Sequence, residues 1–201
     1  MKKILVLDAC VRREESRTLR LMNQAMETLK TENPEWEFQV LNLCDLHLNY
    51  LDTESLKARD ELLSKKEYDH DRFRFARQFR DADGIIVAAP FWDLSIPAVL
   101  KVYIENVSAD GLTFYCDEEG MHGMCKAEWM LYLTTRGGIW QGNPMEQGIS
   151  YMRSLSEFFG IPKFYEVSAD GVDIAELDAE EIMKDALKRT AEICKMNTDK
   201  Q

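Results

Sequence analysis

The chain has 201 residues, of which 45% are hydrophobic and 30% charged, as is typical of a globular protein that buries its own core. No apolar run approaches the length needed to span a membrane. With 25 basic and 36 acidic residues the net charge is −11, which disfavours nucleic acid and anionic membrane surfaces as partners. We therefore expect one soluble domain covering residues 1–201.

The five cysteines are scattered along the chain and form no C-x-x-C pair. An odd, scattered set differs from the disulfide framework of a small secreted domain, so we expect reduced thiols and a cytoplasmic protein. Cys116, His122 and Cys125 supply three potential metal ligands on one loop but no fourth. We therefore expect no metal site.

Apolar runs and amphipathic segments alternate along the chain. The runs predict five strands, at residues 3–8, 36–43, 84–89, 127–135 and 163–168. Helical spacing lies between and after them, at residues 16–30, 68–81, 96–108, 145–159 and 178–195. Strict alternation predicts a three-layer α/β sandwich, with a parallel sheet between two layers of helices.

Five strands in this arrangement favour a doubly wound sheet of order 2-1-3-4-5, whose ligand crevice lies beyond strands 1, 3 and 4. The functional loops are then predicted at residues 9–15, 90–95 and 136–143. Two further segments exceed the needs of this fold. Residues 49–67 are expected to include a short helix. They serve either as a functional segment, such as a lid or a dimer contact, or as a solvated excursion, whereas for residues 113–126 we favour the functional role.

The first loop leads into a helix through Ser16, a good N-cap residue, followed by Arg17 and Thr18. The free N–H groups and the dipole of a helix N-terminus attract anions, so this segment is either a phosphate site or an ordinary capped helix.

The other two loops carry residues suited to a flat heterocycle. Phe91 and Trp92 follow the third strand, where aromatic rings and backbone groups favour ligand contact over a role as core plugs. Gly137 and Gly138 follow the fourth strand, and paired glycines permit positive φ and close approach of the backbone to a ligand.

Three motifs on these elements, together with the order of the whole chain, carry a resemblance to a known family. They are A-P-F-W-D-L-S-I-P-A-V-L-K-V-Y at residues 89–103, G-L-T-F at 111–114 and T-T-R-G-G-I at 134–139. The chain resembles the FMN-dependent NADH-azoreductases, quinone-reducing flavoenzymes of the flavodoxin-like superfamily. The resemblance spans nearly the whole chain and implies a flavodoxin-like fold.

The resemblance also implies the site. The FMN phosphate is expected at Ser16, Arg17 and Thr18, with Cys10 beside it or beside the ribityl chain. The isoalloxazine ring is expected to contact residues at the ends of the third and fourth strands: Pro90, Phe91, Trp92, Asp93, Leu94, Thr135, Arg136, Gly137 and Gly138. The substrate pocket is expected to include Trp92, Phe114, Cys116 and Phe158 and to be completed by the second subunit of a homodimer.

The implied activity is transfer of hydride from NADH or NADPH, through bound FMN, to quinones, azo or nitro compounds in a two-electron ping-pong cycle. The flavin carries this chemistry, so no catalytic side chain is expected. Two positions depart from the family pattern, since Cys10 replaces a usual serine and Asp93 a usual asparagine. A negative charge at residue 93 disfavours a reduced flavin unless that side chain points to solvent.

Two alternatives compete with this function. The first is a non-catalytic flavodoxin-like electron carrier or partner-binding module, which the acidic charge suits. The second is a cysteine phosphatase that uses Cys10 and Arg17. Six residues separate this pair, one more than in the low-molecular-weight tyrosine phosphatase loop, and the loop carries two glutamates and no glycine.

Overall fold

The computed structural model describes residues 1–196 and contains one central parallel sheet. The strands in chain order are β1 (Lys3–Asp8), β2 (Glu37–Asn42), β3 (Gly84–Ala88), β4 (Phe114–Asp117), β5 (Gly120–Gly123), β6 (Trp129–Arg136) and β7 (Lys163–Asp170). The sheet has the order β2-β1-β3-β6-β7, and every neighbouring pair in it is parallel. Because β4 and β5 form a separate hairpin, this is the predicted order 2-1-3-4-5, which is confirmed.

Helices cover both faces of the sheet. They are α1 (Arg17–Glu32), α2 (Thr53–Ser64), α3 (Arg74–Asp81), α4 (Ala98–Val107), α5 (Gly148–Phe158) and α6 (Ala179–Met196). Helices α1 and α6 pack on one face, and α3, α4 and α5 pack on the other. Within the described residues, no helix combines the length and the apolar character that crossing a bilayer requires.

The apolar runs form strands because both sides of the sheet are buried. Leu5 and Leu7 of β1 face the α3–α5 layer, whereas Ile4 and Val6 face α1 and α6. Strand β3 is buried along its whole length. A continuous apolar run is the expected pattern for a strand covered on two faces, and it places β1 and β3 at the centre of the molecule.

Three helices begin later than the sequence pattern predicts, each for a local reason. Helix α3 begins at Arg74 rather than residue 68, since residues 71–73 form a 3-10 turn. Helix α4 begins after Pro97. Helix α5 begins at Gly148 rather than residue 145, because the Glu146 carboxylate accepts the backbone N–H groups of Gly148 and Ile149. All three errors lie at helix N-termini, and the starts differ from the predicted ones by six, two and three residues.

The two extra segments have defined structures. Residues 49–67 contain α2, the predicted short helix, which a capping box between Asp52 and Ser55 begins. Residues 113–126 contain the antiparallel β4–β5 hairpin, which the sequence analysis did not predict. The hairpin packs on the end of α5, where the ring centroids of Phe114 and Phe158 are 4.6 Å apart.

Candidate functional site

A cleft of about 220 Å³ lies at the carboxyl ends of the central strands. The three predicted loops meet in it together with a fourth, which follows β7. Its lining residues are Arg12, Glu15, Ser16, Arg17, Pro90, Phe91, Trp92, Thr135, Gly137, Val172 and Asp173. The predicted crevice of a doubly wound sheet is therefore present, and residues distant in sequence form it.

The first loop is anchored by a buried carboxylate at the end of β1. Asp8 is 2% exposed, accepts the backbone N–H of Cys10 at 2.9 Å and pairs with Arg13 Nη1 at 2.8 Å. The loop then enters α1 through Ser16, whose hydroxyl accepts the N–H of Leu19. The N–H groups of Arg17 and Thr18 have no acceptor within the helix, since a helix lacks partners for its first donors. Ser16 and Arg17 therefore bring an anion-binding helix end to the cleft.

The second loop turns sharply after β3. Trp92 and Ser95 exchange backbone hydrogen bonds of 3.2 and 2.8 Å, while Asp93 and Leu94 have φ values of +47° and +67°. Two central residues with positive φ define a type I′ turn. The turn directs Pro90, Phe91 and Trp92 toward the cleft and holds the side chains of Asp93 and Leu94 in solvent. The negative charge of Asp93 therefore lies outside the cleft lining.

The third loop is tied to the first by a side-chain hydrogen bond. Thr135 and Thr18 have their hydroxyl oxygens 2.7 Å apart, so the end of β6 and the first turn of α1 are held together. Gly137 lines the cleft. Neither Gly137 nor Gly138 has positive φ. Gly137 instead allows a close approach of the Asp173 side chain, because a Cβ atom there would lie 2.6 Å from Asp173 Oδ2.

Arg136 lies beneath this loop rather than in the cleft lining. Its side chain is 1% exposed, with Nη1 3.3 Å from Asp170 Oδ2 and Nη2 3.5 Å from Glu146 Oε1. The guanidinium carbon lies 5.5 Å from the centroid of the Phe91 ring. Two carboxylates and an aromatic face thus surround the buried Arg136 guanidinium. These contacts position Phe91 and the end of β6.

The fourth loop follows β7 and was missed by the sequence analysis. Val172 and Asp173 line the cleft, and the Asp173 N–H donates to Gly137 O at 3.1 Å. Across the cleft, Arg17 Nη1 donates to Asp173 Oδ1 at 2.7 Å. Because β7 is the parallel neighbour of β6, the loop after it emerges at the same edge of the sheet. This topology was the available signal for it.

Arg12 and Glu15 also line the cleft, although neither was predicted as a cofactor contact. Both lie within the predicted loop at residues 9–15 and are exposed. The cleft therefore carries two cations, Arg12 and Arg17, and two carboxylates, Glu15 and Asp173.

Cys10 does not present its thiol to the cleft. The residue is fully buried on the α1 and α6 side of the sheet, and its Sγ lies 3.7 Å from the carbonyl oxygen of Ala88. Burial raises the pKa of the Cys10 thiol to about 12. A cysteine phosphatase needs a thiolate at neutral pH, so this geometry does not support the phosphatase alternative.

The predicted substrate-pocket residues form two groups. Trp92 lines the cleft and is 38% exposed. Phe114 and Phe158 pack against each other at the base of the hairpin, and Cys116 is exposed on β4. None of these three lines the cleft with Trp92 within one chain.

Fold and site together define a flavodoxin-like α/β protein, and the family model described as flavodoxin-like fold matches residues 2–193. An FMN-dependent NADH:quinone oxidoreductase of Clostridium perfringens is 32% identical over 196 residues, covering 97% of this chain and 99% of the relative. Another, from Clostridium acetobutylicum, is 32% identical over 199 residues. The chain therefore belongs to the flavodoxin-like family of FMN-dependent NADH:quinone oxidoreductases.

Solved structures agree with this assignment. An azoreductase from Bacillus anthracis strain Sterne superposes with a TM-score of 0.88 at 25% identity, covering 96% of this chain and 99% of the other. An FMN-dependent NADH-azoreductase of Bacillus anthracis, solved in complex with FMN, gives a TM-score of 0.87 at 22% identity, covering 99% of this chain and all of the other. The latter similarity establishes the fold.

Proposed function

We propose that this chain binds FMN in the cleft and uses it to transfer two electrons from NADH or NADPH to quinones, azo or nitro compounds. The single observation that carries the proposal is the convergence of a helix N-terminus, an aromatic turn and a glycine loop on one cleft. An anion site beside a flat aromatic wall matches a molecule with a phosphate at one end and a planar ring at the other.

The phosphate end of the cofactor belongs at the start of α1. Ser16 and Arg17 line the cleft there, and the first-turn N–H groups supply donors that the helix does not use. Thr18 supports this end from below through its hydrogen bond to Thr135. Cys10 is expected to act only as packing beneath the loop, since its thiol is buried.

The ring end belongs between the second and third loops. Pro90, Phe91 and Trp92 form one wall, while Thr135 and Gly137 form the other. Asp93 and Leu94 shape this wall through the backbone of their turn. Arg136 positions the Phe91 ring, against which its guanidinium packs. Gly138 fixes the third loop, because its carbonyl oxygen accepts the Gly171 N–H at 2.9 Å.

When bound, FMN supplies the two-electron chemistry, taking up hydride from the nicotinamide donor in one half-reaction and passing it to the acceptor in the other. The exposed Trp92 ring leaves an open apolar face beside the cofactor position. Such a face binds flat molecules and discriminates weakly among them. The nicotinamide donor and the acceptor are both flat, so the two bind to the same face one after the other.

A homodimer would complete the substrate pocket. Phe114, Cys116 and Phe158 lie apart from the cleft of their own chain, and large apolar side chains are exposed on neighbouring loops and on the hairpin. These are Trp92, Leu94, Tyr115, Met121, Met124, Ile139 and Met145. Exposed apolar groups of this number favour burial against a second copy. Analytical ultracentrifugation is expected to give the mass of two chains. The mass of a single chain would contradict the homodimer.

Initial-rate kinetics test the proposed reaction. The rate is measured as NADH is varied at several fixed concentrations of a benzoquinone, with FMN saturating. A shared pocket predicts parallel double-reciprocal lines, whereas intersecting lines mean that donor and acceptor bind together. Bound FMN that NADH fails to reduce would favour the electron-carrier alternative.

A further inference from the structure

An ion pair between Arg17 and Asp173 spans the phosphate end of the cleft. Arg17 belongs to the first turn of α1 and Asp173 to the loop after β7, and both side chains line the cleft. The Nη1 to Oδ1 distance is 2.7 Å. Their side chains are 37% and 67% exposed, respectively, so solvent weakens the pair. An incoming anion can therefore displace the Asp173 carboxylate from Arg17.

The backbone and the glycine opposite, rather than the ion pair, hold the Asp173 loop in place. The N–H of Asp173 donates to Gly137 O, and that of Val172 donates to Arg136 O at 3.2 Å. A side chain at residue 137 would collide with the Asp173 carboxylate, so the glycine permits that carboxylate to lie against the third loop. Replacing the carboxylate by an amide therefore leaves the path of the loop intact.

The position of this carboxylate opposes phosphate binding. Arg12 and Arg17 are balanced within the cleft by Glu15 and Asp173. Of the two carboxylates, Asp173 is the one hydrogen-bonded to the cation on the α1 N-terminus. A phosphate that takes this place must remove Asp173 from Arg17 and then remain beside a like charge.

On the basis of the proposed function, we propose that Asp173 is an internal competitor for the phosphate and a specificity-determining residue of the cofactor site. It weakens the binding of phosphorylated flavin and so reduces the preference for FMN over riboflavin, which shares the ring system and lacks the phosphate. An exposed ion pair and one like charge together correspond to roughly a 3- to 20-fold change in the FMN dissociation constant.

The test compares FMN and riboflavin dissociation constants, measured by quenching of flavin fluorescence, for the wild type, Asp173→Asn and Glu180→Gln. Glu180 is the matched control, because it pairs with Arg20 on α1 at 2.9 Å, is also exposed and does not line the cleft. Asp173→Asn is expected to tighten FMN about 3- to 20-fold and to change riboflavin less than about twofold. Glu180→Gln is expected to change neither by more than about twofold.

The flavin titrations overturn the inference if both flavins tighten equally, if Glu180→Gln has the same effect, or if FMN binding in Asp173→Asn is unchanged or weaker. A thermal-shift titration with inorganic phosphate, at constant ionic strength, separates this inference from the proposed function. If neither flavin binds the wild type, the proposed function fails. A larger phosphate stabilisation in Asp173→Asn than in the wild type still supports competition at Arg17, and equal stabilisation contradicts it.

Discussion

Arg17 is the charged side chain on which the proposed phosphate site depends. Its position on the first turn of α1 adds a charged donor to N–H groups that already favour an anion. Losing one charge-assisted hydrogen bond costs about 1.5–3 kcal/mol, so Arg17→Ala is expected to weaken FMN binding roughly tenfold to a hundredfold. A fluorescence titration measures the change.

Arg20→Ala supplies the control for that prediction. Arg20 lies one turn further along α1, forms a comparable ion pair with Glu180 and is absent from the cleft lining. FMN affinity should stay within about twofold, since Arg20 does not line the cleft and an exposed cation that makes no direct contact with the ligand contributes little in water. Equal losses in the two variants would mean that overall charge, rather than contact with Arg17, controls binding.

At the scale of elements, the type I′ turn after β3 carries backbone strain. Leu94 occupies the left-handed region, which costs a non-glycine residue about 1–2 kcal/mol, and glycine is the favoured residue at this place in such a turn. Leu94→Gly relieves this strain, but it also makes the unfolded chain more flexible, which offsets part of the gain. The free energy of unfolding of the protein without FMN is therefore expected to rise by about 0.5 kcal/mol. Urea unfolding measures the difference.

Leu56→Gly is the matched comparison, because Leu56 is exposed to a similar extent, 39% against 40% for Leu94, but lies within α2. Glycine inside a helix is expected to lower the free energy of unfolding by about 1 kcal/mol. Opposite signs for the two substitutions support strain at the turn. A loss of stability in both would show that Leu94 contributes more by contact than it costs by conformation.

The sequence predicted elements better than it predicted the contacts between them. Continuous apolar runs predict strands that are buried on both faces, and apolar residues at helical spacing predict amphipathic helices. The order of these elements is enough to place the three functional loops. Helix starts at Arg74 and Gly148 depend on a 3-10 turn and on the Glu146 carboxylate, local interactions that periodicity does not reveal. The β4–β5 hairpin was missed because its strands are only four residues long and largely exposed, which leaves no sustained apolar run or alternation.

Individual site residues were harder to predict, since their roles depend on where each side chain points. Cys10 and Arg136 lie in the predicted loops or at their edges, but both are buried beneath the cleft. The sequence positions of Val172 and Asp173 are remote from the three motifs, and only the pairing of β7 with β6 brings them to the site.

For the whole molecule, two buried thiols, Cys10 and Cys194, and one half-buried thiol, Cys125, make the free energy of unfolding depend on pH. Burial raises the pKa of Cys10, Cys125 and Cys194 to about 12 in the folded protein, above the ordinary value of 9.0. Between these values the unfolded chain loses thiol protons that the folded protein keeps. Stability is therefore fully present below pH 9 and falls as pH rises, by up to about 1.4 kcal/mol per pH unit for each thiol.

Chemical unfolding at about pH 8 and about pH 10.5 measures this loss. The comparison is Cys194→Ala, which removes one buried thiol far from the cleft. The variant is expected to be less stable at the lower pH, because it leaves a small cavity, and to lose about 2 kcal/mol less than the wild type as the pH rises. An unchanged pH slope would show that the Cys194 thiol does not contribute.

On the proposed function, the cleft binds FMN in a form that exchanges electrons with NADH and quinones. The most direct measurement is the visible absorbance spectrum of the purified protein after mixing with FMN and removal of free flavin, recorded anaerobically with NADH and then with a benzoquinone. We expect bound flavin whose absorbance bleaches with NADH and recovers with the quinone. Flavin that separates from the protein, or bound flavin that NADH leaves oxidised, would contradict it.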